Sequence, residues 1–190
     1  MSKEIIFGDV IGKGKRGLVM RGKYFGSDVA VKTVNPKSDA IGRLENEGKW
    51  LKRLNKKGIG PKFYFCDDGK LVMEFLDGVH LEDFIESNKN VKLILKDLMG
   101  QCRILDKMKV DKKEMHRITK NCIVINKNKP ILIDFERCRT SLKPKNVTQF
   151  CHFLIKKRLC KDEKKAISAL KNYKSKMTDE NFIFLKKFFF

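Results

Sequence analysis

Residues 12–17 read GKGKRG between two β-branched segments, and the second strand-like run after them ends in VAVK, with Lys32 last. Residues 4–11, 17–23 and 28–34 alternate in part and are too short for helices. The spacing therefore predicts strand, glycine-rich turn, strand, a turn at Phe25-Gly26-Ser27, and strand. A glycine-rich loop that opened a helix would belong to a dinucleotide-binding βαβ unit, and a loop joining two strands excludes that order. Gly12, Gly14 and Gly17 let backbone N–H groups approach phosphate oxygens without Cβ obstruction, and Lys32 brings a positive charge from one strand away. The N-terminal part is thus expected to be a small antiparallel sheet with a phosphate-binding loop.

At 190 residues the chain holds one substantial core or two small lobes. Lysine and arginine number 43 against 23 acidic residues, a formal net charge of +20 spread along the whole chain. A surplus of that size opposes compaction by self-repulsion unless a polyanion screens it, so an acidic partner is expected, nucleic acid ahead of an anionic membrane. Cys66, Cys102, Cys122, Cys138, Cys151 and Cys160 form no CxxC pair and follow no secretory leader. They read as small apolar residues in a reducing cytoplasm. No apolar run reaches the roughly 18 residues that span a bilayer, and no membrane partner is expected. The segment FIFLKKFFF at 182–190 would dock on the body as a helix or, as the weaker alternative, touch a membrane.

From Ala40 the pattern turns helical, with Leu44, Glu47, Trp50, Leu51 and Leu54 on one face and a glycine and proline stop over 58–61. Glu47 falls on the inward face, with Glu45 as the neighbouring candidate. Strands at Lys62–Cys66 and Lys70–Phe75 follow, joined by Asp67-Asp68-Gly69, and a boundary near 76–78 separates segments 1–76 and 77–190. Beyond it the periodicity predicts a short helix over His80–Glu86 and a long one over Val91–Met108, whose buried stripe is Leu93, Ile94, Leu98, Cys102 and Leu105. His80 is expected to pack or cap. Cys122–Ile125 and Pro130–Ile133 read as a hairpin with Asn121 before it and Asp134 after it, two hard oxygen donors suited to Mg²⁺. Three helical patterns close the chain at 147–158, 162–174 and 178–188, the last opened by the capping run Thr178-Asp179-Glu180.

Glycine loop, strand lysine, helix glutamate, asparagine and strand-end aspartate occur in the order seen in protein kinases, and residues 8–139 resemble that fold. The ending IDFER in place of IDFG, and the stretch EMHRITKN, are most similar to the archaeal RNA kinase family, an atypical kinase-like group related to the RIO and Bud32 kinases. The resemblance implies a bilobal α+β protein kinase-like fold, with a small antiparallel-sheet N-lobe and a reduced helical C-lobe. It implies ATP and Mg²⁺ as cofactors. Gly12, Lys13, Gly14, Gly17 and Val19 would cover the nucleotide; Lys32, held by Glu47, would bind the α and β phosphates; Met73, Glu74 and Leu76 would meet adenine; Asn121 and Asp134 would hold metal. That family transfers phosphate to the ribose 2′-hydroxyl of uridine 47 in tRNA, so tRNA is the implied partner. An atypical protein serine/threonine kinase and an RNA-binding pseudokinase are the alternatives.

A usual kinase has its proton-accepting aspartate five residues before the metal-binding asparagine, a position that His116 occupies here. With two extra residues in the loop Glu114 would reach the same place, and Asp111 is a more distant option. Either Glu114 or His116 can take a proton at neutral pH. Arg117, Lys120, Arg137 and Arg139 flank the proposed metal ligands, and Lys13, Lys15 and Arg16 lie in the glycine loop, a basic surround that suits a phosphate backbone. No APE segment follows, which argues against the usual peptide-binding surface. Oligomeric state is not readable from the residues.

Overall fold

β-Branched residues at alternate positions build the N-terminal sheet. The computed structural model describes residues 4–14, 17–35, 42–87, 91–126 and 128–190. Lys15 and Arg16 of the glycine loop and the expected helix start at Ala40 lie outside them. The chain divides into two compact units, Met1–Gly78 with Ile131–Cys138, and Val79–Pro130 with Arg139–Phe190.

In the first unit β1 (Ile5–Gly14), β2 (Gly17–Tyr24) and β3 (Ser27–Val34) precede α1 (Arg43–Leu54), a 3₁₀ turn at Asn55–Lys57, β4 (Phe63–Asp67) and β5 (Lys70–Glu74). The sheet is antiparallel in the order β1–β2–β3–β5–β4. Register sorts its two faces, because residues directly opposite one another point the same way. One transverse row runs Gly12, Val19, Lys32, Leu71, Cys66, and a second carries Arg21, Ala30, Met73 and Phe63. The opposite face holds Val29, Val31 and Val72, all fully buried, with Ile5, Tyr24, Tyr64 and Phe65 packed on them. Every one of the row residues in the first list is therefore on the Lys32 face, which α1 covers.

That cover is unusually close. A Cβ on Gly48 would stand 2.8 Å from Cys66 Cβ and 3.3 Å from Phe63 Cε2, so only glycine lets α1 settle on β4 at this height. Gly17 has a comparable constraint: a Cβ there would stand 1.9 Å from Thr33 O. The third glycine of the loop motif is thus required by strand pairing, whatever else it does.

The second unit contains β6 (Gly78–His80, its first residue still in the first unit), α2 (Leu81–Ser87), α3 (Lys92–Lys107), β7 (Val110–Asp111), a 3₁₀ turn at Met115–Arg117 and β8 (Cys122–Ile125). β9 (Lys129–Leu132), β10 (Arg139–Thr140), α4 (Asn146–Lys156), α5 (Glu163–Ser175) and α6 (Asp179–Lys186) follow, and the chain returns to the first unit within β9. The architecture is mixed α+β, an antiparallel sheet first and helices after it, consistent with the kinase-like fold. Two expectations shift. His80 lies exposed in β6 and does not open the helix. Leu93 is 68% exposed, while Leu95 and Met99 join Ile94, Leu98, Cys102 and Leu105 on the buried side of α3. At helical spacing Leu93 falls on the face of Lys96 and Asp97, which is exposed, and not on the face of Ile94, Leu95, Leu98 and Met99.

A polar cluster fastens α3 to α4. Asp106 Oδ1 accepts from Asn146 N at 3.1 Å and Nδ2 at 2.8 Å, so a buried carboxylate caps the start of α4 from outside the helix. Asn146 Nδ2 also donates to Val110 O at 2.6 Å, and Asn146 Oδ1 accepts from Lys112 N at 2.9 Å. The Tyr173 hydroxyl of α5 donates to Asp106 Oδ2 at 2.8 Å, and Arg103 reaches Tyr173, Met177 O and Asp179. Burial raises the Asp106 pKa, and the bonds from Tyr173 and Asn146 offset only part of that. The C-terminal segment docks by one face: Phe182, Leu185 and Phe189 are buried, while Ile183 and Phe184 are exposed. None of the described helices is long and apolar enough to cross a membrane.

Replacing fully buried Asn146 by alanine removes its side-chain bonds to Asp106, Val110 O and Lys112 N together, while Asp106 keeps the backbone N–H groups of residues 146 and 147 and the Tyr173 hydroxyl. We expect Asn146→Ala to lose roughly 3 kcal/mol of stability, read as a lower urea midpoint at unchanged slope.

Candidate active site

The apolar face of α1 sets a glutamate at its centre. Glu47 is 2% exposed among Leu44, Gly48, Trp50, Leu51 and Leu54, whereas Glu45 is exposed, so the inward acid of the helix is Glu47. A carboxylate this deep needs a cation and donors to remain charged. Lys32 Nζ, projecting from the β3 row, donates to Glu47 Oε2 at 2.6 Å, and the Phe135 backbone N–H donates to Oε1 at 3.1 Å.

Phe135 follows Asp134, whose backbone has a φ of 63°, in the left-handed region that aspartate tolerates better than most side chains. That turn carries the Asp134 carboxylate to 3.5 Å from Lys32 Nζ. Glu136 is nearby as well, 3.8 Å from Lys32 Nζ and 3.2 Å from Arg43 Nη1 on α1. Asn46 Nδ2 donates to Glu136 O at 2.8 Å and Cys138 O at 3.2 Å, so the first two turns of α1 grip the segment after β9 at four points. Lys32 thus faces three carboxylates within 3.8 Å. Desolvation works against its charge, yet the pull of Glu47, Asp134 and Glu136 prevails and its pKa is raised. Burial, with Asp134 adding to it, raises the Glu47 pKa despite Lys32.

The loop residues occupy the strand ends. Gly12, Lys13 and Gly14 pair with Val19, Leu18 and Gly17. Val19 stands beside Lys32 in the transverse row, and Met73 lies across from Ala30 on the same face. Glu74 N donates to Lys62 O at 2.8 Å and its carboxylate accepts from Lys62 N at 3.0 Å. Any adenine contact from Glu74 therefore falls to its carbonyl, alongside the backbone of Leu76.

In the second unit Lys113 and Glu114 have φ values of 66° and 53°, two successive left-handed residues just before the 3₁₀ turn. Such conformations persist only where the surroundings enforce them and concentrate at functional sites. Arg117 N donates to Glu114 O, Lys120 N to Arg117 O and Asn121 N to Ile118 O, so Glu114, His116 and Asn121 share one tight set of turns. Asp111 is 2% exposed and its carboxylate bonds Lys113 through both N and Nζ. Arg137 sits 3.8 Å from Glu136, and Arg139 is exposed on β10 opposite Asp111.

Local sequence pattern does not mark Glu136, Arg43 and Asn46 as site residues. The available signal was the glutamate at the glycine position of the usual motif, but its partner on a helix 93 residues earlier was not inferable from spacing.

A lysine on the third strand, a buried glutamate on the following helix and an aspartate at a strand end together define a kinase-like catalytic domain. The chain belongs to the protein tyrosine and serine/threonine kinase family, whose model matches residues 5–153. It is also similar to the kinase and exchange factor for Rac A of Dictyostelium discoideum, 32% identical over 89 residues. That match covers 44% of this chain and spans only 7% of the relative's length.

Two outcomes follow from the buried pair. The raised Lys32 pKa means its stabilisation is complete below 10.5 and is lost as pH climbs through the higher folded-state value. Alkaline unfolding curves should therefore show wild-type stability falling through that window relative to Lys32→Met, which at pH 7 is about 3–5 kcal/mol less stable because Glu47 is left buried and unpaired. Gly48→Ala should lift α1 from β4, costing about 1–3 kcal/mol in denaturant and weakening nucleotide binding measured by calorimetry.

Proposed function

We propose that this chain is an ATP-dependent RNA kinase that transfers the γ-phosphate of ATP to a ribose 2′-hydroxyl of tRNA, at uridine 47. The observation that carries the phosphotransfer part is the 3.5 Å approach of Lys32 Nζ to Asp134 Oδ1, with Glu47 holding the same ammonium. Gly12, Lys13, Gly14 and Gly17 cover the phosphates, Val19 and Met73 border the base, and Glu74 and Leu76 offer backbone groups to the adenine edge. Lys32 neutralises charge on the α and β phosphates, and Glu47 fixes where its ammonium sits.

The donor set suits Mg²⁺: the Asp134 carboxylate is 36% exposed beside Lys32, and Asn121 offers a second hard oxygen. When bound, the ion offsets charge on the phosphate oxygens. The 2′-oxygen attacks the γ-phosphorus, the bond to the β-phosphate oxygen breaks, ADP leaves, and the hydroxyl proton passes to Glu114 or His116. Phosphoryl transfer relies on positioning and charge neutralisation more than on a strong base, so the missing aspartate is compatible with catalysis. A net charge of +20 and the tRNA acceptor of the family this chain resembles support RNA as the substrate. The added phosphate would block attack by the 2′-oxygen on its own backbone, which gives tRNA protection as the purpose.

Membership of a protein kinase family favours a second reading, a RIO-like or Bud32-like protein serine/threonine kinase. The absent aspartate favours a third, an RNA-binding pseudokinase. Incubation with labelled ATP and either total tRNA or a protein extract separates them. We expect label in tRNA, reduced at least a hundredfold in Asp134→Ala. Label confined to protein would establish the second reading, and ATP binding without label in either would establish the third. Glu114→Ala and His116→Ala, made separately, should differ in rate; near-full activity in both would remove the base assignment.

A further inference from the structure

The 3₁₀ turn of the second unit and α4 are fastened together. Met115 N donates to Gln149 Oε1 at 3.0 Å, and Met115 and Ile118 are fully buried. One turn further along α4, on the same face as Gln149, come Phe153 and then Lys156, with Lys157 just past the helix end. Beyond Met115 in the turn come His116, Arg117, Thr119 and Lys120. Side chains of both segments line a single open cavity of about 330 Å³. Its walls are Arg117, Lys120, Lys156, Lys157, His116 and Thr119 around a floor of Phe153, without any carboxylate.

Four permanent cations 36 to 40 residues apart in sequence, Arg117 and Lys120 against Lys156 and Lys157, have thus been gathered around one hollow. Among the described residues none of the four forms an ion pair, although carboxylates neutralise Arg43, Arg103, Lys107 and Lys113 elsewhere. Like charges so placed repel one another and disfavour the fold unless an anion occupies the space between them. The cavity is larger than one phosphate requires and is at the lower end of the range for clefts that hold a small ligand. Those dimensions fit a phosphodiester with its sugar.

We propose that this cavity is where the acceptor RNA strand is held, its phosphodiester backbone gripped by Lys156 and Lys157 on one wall and Arg117 and Lys120 on the other. The inference deepens the RNA reading above and rests on it for the identity of the polyanion. The turn that supplies one wall also carries Glu114 and His116, so a strand anchored here is tied to the segment that would take the hydroxyl proton. Acceptor choice then depends on which nucleotide the anchored backbone presents.

The test compares the wild-type chain with the double variant Lys156→Gln, Lys157→Gln by fluorescence anisotropy of labelled tRNA over a salt series. The variant should bind tRNA about tenfold more weakly at moderate salt, and the slope of log Kd against log salt should fall by about 1.5, the loss of two phosphate contacts. Its melting temperature without RNA should be no lower than that of wild type, since two mutually repelling charges are gone, and its ATP affinity should match wild type. Unchanged affinity and slope would falsify the assignment, as would a wild type that does not bind tRNA. So would a phosphoserine peptide or phosphatidylserine vesicles bound with this lysine dependence while tRNA binding lacks it. Label transfer distinguishes the two claims: RNA labelled equally by wild type and variant, at equal KM, sinks the cavity alone. Lysine-dependent tRNA binding with no label in RNA supports the cavity and sinks the catalytic reading.

Discussion

The first unit is organised around one buried carboxylate. Glu47 sits in the apolar face of α1, where an unpaired charge would cost several kcal/mol, and it remains there because Lys32 and the Phe135 N–H meet it from two other segments. Strand β3, helix α1 and the turn after β9 are therefore held in mutual register by one side chain. The same contacts bring Asp134 up to Lys32, so the arrangement that would hold a triphosphate is also the arrangement that satisfies the core. Gly48 is the steric counterpart of this electrostatic constraint, since any larger residue would raise Glu47 away from the sheet.

Glu136 adds to this assembly. Where the usual motif has glycine, this chain has a carboxylate only 9% exposed, bonded to Arg43 and 3.8 Å from Lys32. Its backbone carbonyl also takes Asn46, so residue 136 fastens the strand-end segment to α1 by both side chain and main chain. Glycine would give this turn more freedom, and glutamate at the position ties it in the state in which Glu47 faces Lys32.

In the second unit the corresponding role belongs to Asp106 and Asn146. Their bonds cap α4 from α3 and bind the chain at Val110 and Lys112, just before the strained pair Lys113-Glu114. Gln149, one turn into α4, then fixes Met115. Two left-handed residues are thus held between anchored neighbours, and the turn bearing Glu114, His116 and Asn121 is fixed from both sides. The basic cavity follows from the same attachment, since it is α4 that brings Lys156 and Lys157 beside Arg117 and Lys120.

Much of the fold was readable from local pattern. Alternation identified β2, β3 and β5, helical periodicity placed Glu47 rather than Glu45 inward, and Thr178 marked the start of α6, where its hydroxyl accepts from Asn181 N. The misplaced residues are Leu93, which lies on the exposed face of Lys96 and Asp97, and His80, which stands at the junction of β6 and α2, where a change of element leaves no period to read. The two-residue strands β7 and β10 carried no signal of their own, being defined only by each other. By itself the sequence determined the order of elements and motifs and the inward side of each amphipathic helix, because those depend on residues a few positions apart. The tertiary structure alone decided that Glu136 joins Arg43, that α1 needs glycine at 48, and that four distant cations surround one cavity. Each of those depends on the distance between segments tens of residues apart, which packing sets and local periodicity does not encode.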